Sequence, residues 1–183
     1  MIAPDLATAV VGFRSWRLAN GQLQSPYIPC RWDGRVMRAE CYDANRVLLR
    51  GEGWLDEPHD SPHPDCRCGI YAHHEPGLRH YYGETWCCEG VATAWGRIEV
   101  HADGIRAEYA RVQALGVPDL GNPRLEDAVR AVGERLGVPV VDAAELPTIA
   151  AALGGPVPPA LRPPPECAGR RSRSRPASSP ARP

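Results

Sequence analysis

The sequence predicts an α+β fold: a mostly antiparallel β-sheet domain with a Cys/His metal knuckle, followed by two short helices and a disordered tail. Three observations predict it. Segments rich in β-branched and aromatic residues turn back on themselves at Asn20-Gly21 and at Asp103-Gly104. Apolar residues take up helical spacing only after Asn122. The final stretch is dominated by Pro, Arg and Ser. The expected organisation is 1–115 as the β-rich domain with the knuckle, 116–155 as a short helical extension packed on it, and 156–183 as the tail.

Val10 to Leu18 carries β-formers and aromatics, and Asn20-Gly21 is a two-residue hairpin signal because both positions tolerate positive φ. Leu23 to Ile28 is the expected returning strand. A second hairpin joins Val91–Ala102 to Ile105–Leu115. A two-residue loop at Asp103-Gly104 pairs Ala102 with Ile105, Val100 with Ala107 and Ile98 with Tyr109. That register puts the apolar residues on one face and Arg97, Glu99, His101, Arg106 and Glu108 on the other. It also sets Glu99 opposite Glu108, with Arg97 and Arg106 on the diagonals. Gly96 marks a bulge after Trp95.

Helix follows. Asn122 is an N-cap, Pro123 suits the first helical position, and Leu125, Val129, Val132 and Leu136 recur at helical spacing before Gly137 ends the run. Val138 to Val141 reads as a short strand or an extended link. Asp142 and Glu145 have capping-box spacing, and a second helix starts near Pro147 and runs to Leu153, where Gly154-Gly155 stops it.

Composition bounds the function. The chain has 183 residues, 43% hydrophobic and 23% charged, enough for one domain plus an appendage. No apolar run is long enough for a membrane span. Met1 to Leu18 has no basic residue ahead of its short apolar stretch, which predicts no secretory signal and a cytoplasmic protein. Every one of the 21 basic residues is Arg, and the net charge is −1. Six of those Arg stand in 156–183 against the single acid Glu166, so the remaining body is net acidic. The tail cannot bury enough apolar surface to offset its ordering entropy. Its Arg-rich arm can touch nucleic-acid phosphates or an acidic partner, whereas the acidic body disfavours a phosphate backbone. Glu52, Asp56, Glu57 and Asp60 read as a solvated acidic loop. Tyr71, Tyr81, Tyr82, Trp86 and Trp95 read as core packing for a β-domain that has only one Phe.

The chemistry-bearing residues are Cys and His. Seven Cys is an odd number, and without a secretion signal a disulfide framework is not expected. All six His fall between His59 and His101. In His59-Asp60-Ser61-Pro62-His63-Pro64-Asp65-Cys66-Arg67-Cys68-Gly69 the prolines and the glycine make a tight knuckle that presents ligands at low entropic cost. Thiolate and imidazole are what a structural zinc prefers, in tetrahedral sets of four. The expected set is Cys41, His63, Cys66 and Cys68, with His59 as the alternative to His63. The bland reading is buried free thiols and loop histidines. Cys87-Cys88 reads as one residue inward and one outward along a strand, with a second metal position or a reactive redox thiol as the alternatives. Cys30 has no assigned role.

Gly12-Phe13-Arg14-Ser15-Trp16-Arg17-Leu18, Cys41, the block His63-Pro64-Asp65-Cys66-Arg67-Cys68-Gly69-Ile70-Tyr71-Ala72, and Trp95-Gly96-Arg97 with Gly104-Ile105-Arg106-Ala107-Glu108-Tyr109-Ala110 resemble a family of small uncharacterised actinobacterial proteins over roughly residues 11–141. The resemblance implies that the Cys-x-Cys-Gly-Ile-Tyr-Ala block and the Trp-Gly hairpin belong to one domain. It supplies no mechanism. Gly69-Ile70-Tyr71 with Tyr81-Tyr82-Gly83 also resembles the signature of GIY-YIG endonucleases. That resemblance implies tyrosines that activate water, an Arg at the phosphoryl transition state (Arg97) and a metal-holding Glu (Glu126). In this sequence Tyr82 stands at the Ile of the second motif, and the Arg97 segment reads as strand. The expected function is a non-enzymatic, zinc-stabilised binding or accessory module with a protein partner. The alternatives are a GIY-YIG-like metal-dependent endonuclease and a thiol redox protein.

Overall fold

The computed structural model describes residues 9–26, 30–41, 59–77 and 86–165. The element order is β1 (Val10–Ala19), β2 (Gln22–Gln24), β3 (Arg31–Trp32), β4 (Val36–Arg38), β5 (Ile70–His73), β6 (Cys87–Val100), β7 (Gly104–Val117), α1 (Pro123–Leu136), β8 (Val140–Asp142) and α2 (Leu146–Ala152). All the strands belong to one mixed sheet of eight. Its named strand pairings are antiparallel except β7 with β8. The long strands β6 and β7 form its centre. β1 pairs β6, β6 pairs β7, β7 pairs β5, and β5 returns to β1 through Phe13 and His73. The sheet therefore curls until its pairings close a ring. Two register shifts in the β6–β7 ladder assist the curl, one of them at Gly96, whose φ is +77°.

The first hairpin turns at Asn20-Gly21, both at positive φ, as expected. The second differs from the expected register. Val100 pairs Ile105, Ile98 pairs Ala107 and Trp95 pairs Tyr109. The turn lies at Ala102-Asp103, closed by the His101 N–H donating to the Gly104 carbonyl at 2.8 Å. Two forces select this register. Glu99 now faces Arg106 rather than Glu108, so a like-charge pair becomes an ion pair. Gly104 enters the strand opposite His73, where an added Cβ would lie 2.3 Å from the Ala72 carbonyl oxygen. The glycine is needed for the close approach of β5, not for the turn.

The main core lies inside the curl. Trp16, Trp32, Leu23, Ile105, Val112 and Leu115 are all at most 2% exposed, and Ala92, Ala94, Ala107 and Ala110 fill the narrow space between them. Trp16 and Trp32 meet edge to face with centroids 5.4 Å apart. The described members of the aromatic stretch expected in the core lie elsewhere. Tyr71 and Trp86 are 38% and 40% exposed, Trp95 is half-buried, and Tyr81 and Tyr82 lie outside the described residues. The physical reason is the Ala-rich lining: two indoles already fill the interior, so further rings have room only outside.

Helix α1 forms as expected. The Asn122 side chain accepts the Leu125 N–H at 3.3 Å, Gly137 caps in the left-handed region, and Leu125, Val129, Val132 and Leu136 are buried. β8 then adds a parallel strand to β7, so the 116–155 segment contributes to the sheet itself. Leu146 and Ala150 of α2 pack on Val11, Phe13, Val91 and Ala114. The packed chain continues beyond 155: Pro156 bridges to Val11, Val157 is buried, and Arg162 pairs with Glu75 at 3.0 Å. The apolar side chain of Val157 and the Arg162 ion pair hold a segment that composition alone assigned to the tail. Residues 166–183 lie outside the described residues.

Candidate metal centre

The knuckle precedes β5 and lies against the β6–β7 hairpin. Its turn is closed by the Cys66 N–H donating to the His63 carbonyl at 3.0 Å. This turn carries Cys66 and Cys68, both 2% exposed, and Cys41 arrives from the end of the β4 segment. The ligand atoms of Cys41, His59, Cys66 and Cys68 all lie within 4.8 Å of one another. The Cys41 and Cys66 sulfurs are 3.7 Å apart, and the Cys68 sulfur is 3.4 Å from His59 Nε2. A tetrahedral ion with metal–sulfur bonds of about 2.3 Å and metal–nitrogen bonds of about 2.05 Å demands edges of about 3.8 and 3.5 Å. Two edges of the observed set already have those lengths. The remaining donor pairs lie within 4.8 Å.

Three of the expected ligands come together and His63 does not join them. Its ring stands 5.0 Å from that of His59, and its Nδ1 accepts the Asp65 N–H at 3.2 Å. His63 belongs to the turn that positions Cys66, so its side chain folds back on that turn. His59, one step before the turn, reaches the sulfurs. The position three residues before Cys66 favoured His63 by proximity in sequence; the turn geometry reverses the choice.

Residues that the sequence placed in other roles hold the knuckle in place. Arg106 on β7, 5% exposed, donates to the carbonyls of Cys66 and of His63, the latter at 3.1 Å, while its Nε donates to Glu99 at 3.0 Å. Arg97 donates to the Pro62 carbonyl at 3.1 Å. The Tyr71 hydroxyl donates to the Arg67 carbonyl at 2.7 Å. Gly69, at φ +129°, lets the chain pass over Arg106: an added Cβ would lie 2.3 Å from Arg106 Cγ. The signal for Arg106 was its place opposite Glu99, which the expected register concealed.

Burial, reinforced by Cys66 and Cys68, pushes the Cys41 thiol up to about 12, and burial also raises Cys68. Without an ion the Cys41 and Cys68 sulfurs keep their protons at neutral pH, and metal must displace them. Metal affinity therefore rises with pH. The metal-free fold behaves oppositely. Its raised thiol pKa values contribute stability that is complete below the ordinary value of 9.0 and is lost as pH climbs toward 12. We expect the melting-temperature gap between metal-loaded and chelator-treated protein to widen from about pH 6 to pH 9, as measured by calorimetry. A gap independent of pH would exclude thiolate ligation.

The other singled-out residues have quieter settings. Cys87 and Cys88 are both buried, and burial raises the Cys88 thiol, the direction opposite to that of a reactive thiolate. All six described cysteines are free thiols. Arg97 lies on a strand, Glu126 on α1, and the Tyr81-Tyr82-Gly83 motif lies outside the described residues. Among the described residues no helix is long and apolar enough to cross a membrane. Comparison with protein-family models, with curated proteins and with solved structures finds no match.

Proposed function

We propose that this chain is a non-enzymatic, zinc-stabilised binding or accessory module that works in the cytoplasm on a protein partner. One observation carries the reading: three sulfurs and one imidazole nitrogen converge within 4.8 Å from two separate stretches of chain. Three thiolates and a histidine are a donor set that selects zinc over the hard cations. Four protein ligands leave no open coordination position, which is the mark of a structural rather than a catalytic site. The ion when bound would cross-link the end of the β4 segment to the entry of β5. The chain's own part is to present the four donors, and Arg106, Arg97 and Tyr71 hold the backbone that carries them.

Mass spectrometry under native and denaturing conditions tests this. One zinc per chain is expected in the native spectrum and none after denaturation. His59→Ala should lose the ion, and His63→Ala should keep it. Absence of metal from protein made in zinc-replete medium, or loss of metal from His63→Ala alone, would refute the assignment.

A further inference from the structure

We propose that the sheet face bordering the metal knuckle docks a carboxylate-rich, extended segment of the partner protein; this rests on the accessory-module reading and names the partner's chemistry. Trp95 and Tyr109, a cross-strand pair, stack with centroids 5.7 Å apart and planes 9° from parallel. Each carries a guanidinium: Arg38 lies 5.7 Å over Tyr109, and Arg111 lies 5.8 Å over Trp95. Arg97 follows Trp95 two residues on along β6, Arg35 donates to the Val112 carbonyl and to Gln113 of β7, and Val36, 45% exposed, adds apolar surface. Four cations thus crowd three adjacent strands of a body whose overall charge is negative.

Arg38 and Arg111 are the available cations, since Arg35 donates to the Val112 carbonyl and to Gln113 and Arg97 donates to the Pro62 carbonyl. Arg38 and Arg97 are 60% and 42% exposed, and their carboxylate neighbours, Glu108 and Asp60, stand off at 3.7 Å. Exposed pairs at that distance are weak and exchange readily. Arg111 is exposed and makes no ion pair with any described residue. A guanidinium laid on a ring keeps its in-plane N–H edge free for a bidentate carboxylate, and the ring reduces the entropy lost on binding. Side chains on one face of an extended peptide recur about every 6.8 Å, so two acidic residues at alternate positions fall within a patch three strands, or about 9.6 Å, wide.

A nucleic-acid strand fits less well. Single-strand recognition relies on bases stacking on open aromatic faces. Here the two rings stack on each other and each carries a guanidinium, so little bare π-surface is offered.

The test uses the full zinc-loaded chain and fluorescent deca-glutamate, deca-lysine and deca-thymidylate probes, read by anisotropy. Deca-glutamate should bind saturably below about 1 mM, weaken about tenfold in Arg38→Gln/Arg111→Gln, and weaken again with salt. Deca-lysine should not bind. Saturable binding of deca-glutamate that the double variant leaves unchanged, no saturation at all, or tighter binding of deca-thymidylate would each overturn the proposal. Zinc content is measured on every sample. Full zinc with failed peptide binding refutes the surface alone; wild-type protein without zinc refutes the module reading beneath it.

Discussion

Cys66→Ser and Cys68→Ser are each expected to release the ion and to lower the melting temperature by about 10–15 °C. The size follows from what the ion would connect. Cys41 and Cys66 are 25 residues apart in sequence, and a cross-link over a loop of that length is worth about 3 kcal/mol through the entropy of the unfolded chain. The coordination bonds add to this, because the knuckle has little apolar burial of its own. Complete unfolding is not expected. Trp16, Trp32 and Leu23 are buried in a core that the metal does not touch. A zinc-finger peptide, by contrast, has no such core and owes its entire fold to the ion. Cys30→Ser is the control, since Cys30 is half-buried and stands outside the donor group. Differential scanning calorimetry with and without chelator provides the measurement. Wild type that melts at the same temperature in both would show that the sulfurs are merely neighbours in a packed turn.

Local signals were legible where one residue type had one physical job. Asn20-Gly21 had to turn, Asn122 and Pro123 had to start a helix, and Gly137 had to end it. The knuckle was legible for the same reason, because prolines and a glycine leave Cys66 and Cys68 few ways to point. What stayed hidden depended on contacts between distant segments. The hairpin register turned on whether Gly104 was needed by the turn or by β5, and only the approach of Ala72 decides that. The choice between His59 and His63 turned on a hydrogen bond inside the turn. The exposure of Tyr71 and Trp86 followed from an interior already filled by Trp16 and Trp32. Val157 and Arg162 were assigned to the tail by their Pro-rich setting, yet Arg162 finds Glu75 across the fold. Composition measures what a segment could bury, and says nothing about a single well-placed ion pair.

Arg106→Ala is expected to destabilise the fold by about 3–5 kcal/mol, more than any single change in the exposed Arg patch. The side chain sits between two demands. Glu99, with 13% of its side chain exposed, would lose its Arg106 partner and remain a nearly buried charge with His101 Nε2 3.8 Å away. The carbonyls of Cys66 and His63 would lose their donor in the same step. Arg106→Lys should rescue little, because one ammonium cannot reach two carbonyls and a carboxylate that the planar fork meets together. Adding Glu99→Gln to Arg106→Ala removes the stranded charge and should recover part of the loss, so the double variant should be more stable than the two single effects sum to. Urea denaturation gives the stabilities, and competition with a chromophoric chelator gives the metal affinity. The two readouts separate the roles of Arg106. If it only neutralises Glu99, the double variant regains both stability and affinity. If it also shapes the knuckle, stability partly returns while metal affinity stays low, because no donor then holds the Cys66 carbonyl at the angle that aims its sulfur at Cys41 and Cys68. A loss no larger than that of Arg38→Ala, an exposed control, would show that the knuckle keeps its shape without the sheet beneath it.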